Sequence, residues 1–281
     1  MQSTQKQKAE LFRKLHYQNN ILVLPNIWDA FGAMLLESIK YKAIATASAA
    51  IAYSNGVNDG EYLTLDKLFP ILEKIVTSVD LPVSIDFESG NASTLQELES
   101  NIETLIEIGV AGINIEDTNK QSHQLYTINE QVERIEVINE TIKKKNTSIF
   151  INARTDVFIQ TNAGTNNELL EDAIRRGTAY KKAGADCFYP IALREQQAIS
   201  TIAEKLKMPI NILTLKGIPS LNTLQQIGVT RVSLGPSFFK IAIKSIKDFA
   251  TKIQQYEGIE DIYENDVTSD YLKHITNKLY K

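Results

Sequence analysis

Short β-branched runs alternate with helix-patterned stretches along this chain, and that alternation limits the fold more than any other feature. ILVL (21–24), KAIATA (42–47), PVSIDF (82–87), GINIED (112–117), SIFINAR (148–154), CFYP (187–190), PINIL (209–213) and RVSLG (231–235) make eight candidate strands. Between them, Leu65, Leu68, Phe69, Leu72, Ile75, Val76 and Val79 recur at helical spacing. So do Leu95, Leu98, Ile102, Leu105 and Ile106, and then Leu169, Leu170, Ala173, Ile174 and Tyr180. Pro70 is expected to kink or shorten the first of these helices. Ser93-x-x-Gln96 reads as a capping box that opens the second. Gly109, Gly184 and Gly228 each stand between a helical stretch and a strand, where glycine suits a left-handed cap. Leu81-Pro82 and Met208-Pro209 open two further strands.

Strand then helix, repeated eight times, specifies parallel strands with helical crossovers. A length of 281 residues would otherwise suggest about two domains. Eight units over about 235 residues instead fit one closed (β/α)8 TIM-type barrel. The rival, an open doubly wound sheet, calls for a glycine-rich loop after its first strand, and Pro25-Asn26-Ile27-Trp28 is not one. The expected layout is one domain over 1–281. Its barrel spans about 20–255, with a capping helix in the first 18 residues and a helical tail over 256–281.

Composition closes several routes. Hydrophobic residues are 43% and charged residues 23%, which is ordinary for a globular chain. Thirty basic and 34 acidic residues give a net charge of −4 with no basic block, so nucleic acid is not an expected partner. No run approaches the ~18 apolar residues of a membrane span. The N-terminal residues lack the apolar core of a signal peptide. A lone Cys187 excludes an internal disulfide and a cysteine-bound zinc, and it reads as a small buried hydrophobe. A reducing, cytoplasmic setting is expected. His16 and His274, in terminal helices, are expected at the surface.

Chemistry in such a barrel belongs at the C-terminal ends of the strands. Asp86 and Glu88 close the third run, two apart and so on one face of an extended chain. Glu116 and Asp117 close the fourth, and Arg154 and Asp156 the fifth, while Asp59 lies in the loop after the second. Several carboxylates at one mouth repel each other unless a cation joins them. Oxygen donors without histidine or cysteine point to Mg²⁺, or Mn²⁺, keeping several waters. Arg154 suits a substrate carboxylate or phosphonate, held by two parallel hydrogen bonds. Asp117 and Asp156 read as loop or cap residues. Trp28 follows the first strand and either lines the pocket or covers the barrel end. His123 falls in the loop directly after Glu116.

Those stretches, taken together, resemble the isocitrate lyase/phosphoenolpyruvate mutase superfamily. The matching pieces are Pro25–Ala30, Thr46–Ala49, Gly56–Gly60, Asp86–Gly90, Asn114–Asp117, Asn152–Asp156 and Val232–Pro236, within about residues 20–245. The resemblance implies a barrel that binds Mg²⁺ and makes or breaks a C–C or C–P bond in a small 2-oxo or 2-hydroxy acid through an enolate-like intermediate. By position, Asp86 is the direct metal ligand. Glu88, Glu116 and Asp59 complete the shell, largely through water. Arg154 binds the substrate, and backbone N–H groups around Ser48 and Ala49 cradle its carboxylate. The resemblance also implies a homodimer or homotetramer, with the C-terminal helix exchanged between subunits.

The departures bear on the reaction. The lyases carry Lys-Lys-Cys-Gly-His in the loop after the Glu116 strand, with the cysteine as proton donor. Here that stretch is Thr118–Tyr126, short and without cysteine, and Lys120 or His123 stands in as the candidate acid. Gly90-Asn91-Ala92 replaces a glycine-tyrosine-glycine, Tyr189-Pro190 replaces a strand-end glutamate, and Ala47 replaces a common serine. Oxaloacetate-type decarboxylation and phosphonopyruvate chemistry are favoured, because their product enolate can take a proton from water. A folate-dependent transferase of the ketopantoate hydroxymethyl type and a non-catalytic binder of small acids are the alternatives.

Overall fold

The structure, a computed structural model, describes residues 4–159 and 166–276. In chain order it runs α1 (Gln5–Leu15), β1 (Leu22–Leu24), β2 (Asn26–Ile27), α2 (Ala30–Ser38), β3 (Ile44–Thr46), α3 (Ser48–Ser54) and α4 (Leu65–Thr77). β4 (Val83–Asp86), α5 (Leu95–Ile108), β5 (Gly112–Glu116), α6 (Ile128–Lys144), β6 (Phe150–Thr155) and α7 (Asn166–Lys182) follow. Next come β7 (Cys187–Pro190), α8 (Gln196–Leu206), β8 (Asn211–Leu213), α9 (Leu221–Gln226) and β9 (Arg231–Ser233). Three helices end the described chain: α10 (Ser237–Gln254), α11 (Glu260–Tyr263) and α12 (Ser269–Thr276).

All the strand pairs are parallel. β2 through β7 pair in sequence, and β8, β9 and β1 form a second arc. Two joints close the ring. At one, the Phe188 N–H donates to the Pro209 carbonyl at 2.9 Å, bridging β7 to β8. At the other, Pro25 splits the first stave, so that β1 pairs with β9 and β2 with β3. Proline has no N–H to leave unpaired, so a change of partner costs least there. The eight expected runs are therefore eight staves, the first broken in two.

Alternation along the strands sorts the side chains. Ile113, Ile115, Ile151 and Phe188 face the helices and share one core with Ile102, Leu105, Ile135 and Ile138. Between them, Ser84, Asn114, Asn152, Asn211, Arg231 and Ser233 are buried and polar. Helix α1 plugs the N-terminal end of the barrel. Phe12 is fully buried, edge-on to Phe150, and a Cβ at Gly112 would lie 2.7 Å from its ring. Only glycine admits the plug this close.

Three expectations change. Helix α4 runs on through Pro70, which leaves the Asp66 carbonyl without that N–H donor at an exposed residue. The capping box opening α5 is Thr94 with Glu97, one residue on from Ser93, because Glu97 reaches back to the Ser93 and Thr94 N–H groups. His16 is buried, stacked on Phe150 at 4.0 Å, and its Nδ1 lies 2.8 Å from the Phe12 carbonyl. The tail, whose last residues 277–281 lie outside the described ones, turns α12 back against α2 of its own chain, with Ile275 in the core. His274 is exposed, as expected.

Burial, reinforced by the charge of Arg231, pushes the His16 pKa from 6.5 down to about 3. Its ring is neutral in the fold while the unfolded chain binds a proton below pH 6.5, so stability falls as pH falls from 6.5 toward 3. The urea midpoint of the wild type should drop between pH 7 and pH 5, and His16→Gln should lose much of that drop. An unchanged pH dependence in the variant contradicts the assignment.

Candidate active site

The strand ends bring the expected acids together. Asp86 ends β4, with its backbone N–H held by Thr46 Oγ1 at 3.0 Å. Its Oδ2 accepts from the Ser48 hydroxyl at 2.9 Å and from the Ser48 N–H at 3.3 Å. That N–H, expected to cradle a substrate carboxylate, is therefore engaged with Asp86. Below it, Asn114 Nδ2 lies 3.5 Å from Asp86 Oδ1, and Asn114 Oδ1 accepts from Asn152 at 2.7 Å and from Arg231 at 3.3 Å. Arg231 is wholly buried with no carboxylate partner among the described contacts, a cation beneath the acids.

Glu88 follows β4 in the left-handed conformation, φ 49°. Glu116 ends β5, 1% exposed, directly beside Arg154 in the pairing with β6. Arg154 Nη1 meets Glu116 Oε2 at 2.7 Å. Lys120 reaches back from the next loop to ion-pair with both Glu116 and Glu88, the latter at 3.0 Å. Loop 118–126 is a short hairpin pinned by the Thr118–Leu125 bridge and by the Asn119 N–H on the Gln124 carbonyl at 2.9 Å. It folds over the acids, and Lys120 is the side chain it delivers. His123 sits at its exposed tip with φ 56°, so the two candidate acids of the loop are separated. Asp59 lies on an exposed loop, but its carboxyl feels Asp86 and Ser48. Ala49 is half-buried beside Ser48. Trp28, also half-buried, lies edge-on to Phe239 of α10 at 5.2 Å.

Asp117 and Asp156 are not solvated loop or cap residues: both are buried. Asp156 accepts from Arg154 Nε at 2.6 Å and Nη2 at 3.2 Å, which fixes the guanidinium plane. With one N–H on Glu116 as well, two of its five donors remain for a ligand. Asp117 accepts from the Thr155 hydroxyl at 2.7 Å, the Asp156 N–H at 2.9 Å, the Tyr180 hydroxyl at 2.7 Å and Arg176 at 3.2 Å. It ties the ends of β5 and β6 to α7. Arg154 in β6 and Asp156 just beyond its end are two apart, a spacing that in extended chain marks one shared face. Glu61 also escaped the sequence reading; its N–H donates to Glu88 Oε1 at 3.1 Å.

Electrostatics set the demand of the site. Burial, with Asp59 and Asp86 nearby, pushes Glu88 up to about 7 despite Lys120. Burial and Asp156 raise Glu116 despite Arg154 and Lys120, and burial and Asp86 raise Asp59. Burial opposes the charge of Lys120, but Glu116 and Glu88 outweigh it and hold the ammonium above its ordinary value. Five acids, Asp59, Asp86, Glu88, Glu116 and Asp156, thus stand near three cations, Lys120, Arg154 and, from below, Arg231, and the surplus of acid favours one more positive charge. Among the described residues no three acid, histidine or cysteine side chains converge closely enough to cage an ion. The donor set nonetheless fits Mg²⁺, which takes one or two carboxylates and keeps its waters. A cavity of about 20 Å³ between Ser48, Asp86 and Glu88 has room for a single water.

Residues 12–254 match the family model described as phosphoenolpyruvate phosphomutase. The 2-methylisocitrate lyase of Bacillus subtilis (strain 168) is 31% identical over 216 residues, 74% of this chain and 68% of that one. Oxaloacetate decarboxylase 2 of Pseudomonas fluorescens (strain Pf0-1) is 25% identical over 224 residues, 78% of this chain and 73% of that one. A crystal structure from Burkholderia cenocepacia J2315, provisionally titled a phosphonomutase, superposes with a TM-score of 0.83 at 32% identity, over 87% of this chain and 99% of that one.

The Asp117 network predicts a stability effect. Asp117→Asn leaves Arg176 and Tyr180 facing a neutral amide in the interior, and should cost about 3 kcal/mol in urea unfolding. A change within about 0.5 kcal/mol contradicts the network.

Proposed function

This chain belongs to the phosphoenolpyruvate phosphomutase family and is an enzyme of the lyase and mutase type; from that premise we propose a Mg²⁺-dependent lyase or decarboxylase acting on a small 2-oxo or 2-hydroxy carboxylic acid through an enolate-like intermediate. One observation carries the reading: Asp86, Glu88 and Glu116 stand with Arg154 at one barrel mouth, under a loop that delivers Lys120.

Asp86 would hold the ion directly, with Glu88, Glu116 and Asp59 around it through water. Bound there, the ion would supply Lewis-acid stabilisation of charge developing on a substrate oxygen. Arg154, its plane fixed by Asp156, offers its two spare N–H groups to the substrate carboxylate. Ser48 holds the Asp86 carboxylate still. Lys120, whose ammonium meets Glu116 and Glu88, would donate the proton to the product carbon. The loop that carries it folds over the acids. Trp28, Ser48 and Ala49 form the side of the mouth where the substrate lies.

Assembly as a homodimer or homotetramer accords with α10, where Ile241, Ile243 and Ile246 are 62%, 46% and 64% exposed and no residue is buried. Among the described residues no helix is long and apolar enough to cross a membrane. The buried lone thiol of Cys187 suits a reducing cytoplasm.

The test follows pyruvate release from oxaloacetate, 2-methylisocitrate and phosphonopyruvate, with Mg²⁺ and with a chelator. Turnover of at least one should require the ion, and Asp86→Ala should lower it roughly a hundredfold or more. Lys120→Ala should lower kcat more than it raises KM. Turnover that survives Asp86→Ala contradicts the proposal.

A further inference from the structure

The turn after β4 has an unusual backbone. Glu88, Gly90 and Asn91 all have positive φ, at 49°, 97° and 49°. Only glycine adopts this region freely, so two of the three need outside support. Part comes from behind: Asn101 donates to the Gly90 and Asn91 carbonyls at 3.0 Å each, and Arg134 donates to the Ser89 carbonyl. The rest comes from one side chain on the loop that follows the neighbouring stave. Glu61 Oε1 accepts from the Ser89 N–H at 2.9 Å, the Ser89 hydroxyl at 2.7 Å and the Asn91 N–H at 3.0 Å. In return the Glu61 N–H donates to Glu88 Oε1 at 3.1 Å.

Glu61 is two residues beyond Asp59, on the same loop, and is itself left-handed at φ 65°. Its carboxylate therefore ties the loop that carries Asp59 to the turn that carries Glu88. Three donors on one oxygen require a strong acceptor, and a carboxylate is the strongest available. Opposite it, the Arg134 guanidinium supplies the balancing charge and lies 4.7 Å over the Tyr126 ring, at the end of the Lys120 loop.

We propose that Glu61 is a positioning residue: it braces the Asp59 loop against the Glu88 turn and so fixes where those two carboxyls stand at the barrel mouth. Its Oε1 is engaged by the turn, and it acts through the place of Glu88. The assignment rests on the metal-binding reading above. Outer partners of this kind commonly change metal affinity by 10–100-fold.

The test measures Mn²⁺ affinity by water-proton relaxation, and amide hydrogen exchange of the metal-free protein, for the wild type, Glu61→Ala, Glu61→Gln and Asn139→Ala. Asn139, in the C-terminal half of α6, donates to the Ala183 carbonyl at 2.9 Å and makes no contact with the turn, so it serves as a control for general loss of stability. Glu61→Ala should weaken Mn²⁺ binding at least about tenfold and speed exchange at Ser89 and Asn91. Glu61→Gln, which keeps an acceptor oxygen, should lie between it and the wild type, while Asn139→Ala should bind Mn²⁺ normally. Wild-type affinity in Glu61→Ala, or unchanged exchange at both amides, overturns the brace. A wild type that takes up no Mn²⁺ overturns the metal reading itself, and the exchange data then judge the brace alone.

Discussion

Like-charged carboxyls crowded at the ends of adjacent strands are the constraint around which this molecule is arranged. The strand period puts Asp86 and Glu116 on the inner face of neighbouring staves, and the turn beyond β4 adds Glu88. In a half-buried mouth their repulsion is poorly screened. Each neighbouring feature offsets part of it. Arg154 lies against Glu116, Lys120 spans Glu116 and Glu88, and Arg231 sits below Asp86 through Asn114. The remaining surplus of negative charge is what a divalent ion at Asp86 would balance.

The fold serves that arrangement by separating its two ends. Helix α1 seals the bottom with Phe12, His16 and Phe150 in mutual ring contact, so the dry end is made of aromatic rings. Above the plug the barrel interior turns polar, with Asn114, Asn152, Asn211, Ser233 and Arg231 buried together. A polar interior is expensive unless it is hydrogen-bonded. Here it carries the partners that hold Asp86 from below. At the upper rim, Asp117 locks β5, β6 and α7 into one piece, so Glu116 and Arg154 keep their spacing.

Much of this was legible in the chain, because regular elements write their periods into the sequence. Strand starts, glycine stops and the strand-end acids Asp86, Glu88 and Glu116 follow from local pattern alone. What escaped depends on distant packing. His16 sits in a polar, short helix, and its burial comes from Phe150, far along the chain. Asp117 looks like a loop acid because its partners, Arg176 and Tyr180, lie about sixty residues on in α7. Glu61 sits in a loop without periodicity, and its three donors come from residues 89–91. Lys120 and His123 were indistinguishable in sequence; a three-residue difference within the hairpin sends one to the acids and the other to solvent.

The central claim is that the strand-end acids form one metal site with Arg154 as its anion anchor. Anomalous diffraction from crystals grown with Mn²⁺ and oxalate tests it most directly. The account predicts one strong peak at the barrel mouth with Asp86 in direct contact, Glu88 and Glu116 beyond bridging waters, and oxalate between the ion and Arg154. A peak held by other residues, or oxalate bound away from Arg154 with no ion at Asp86, would contradict it.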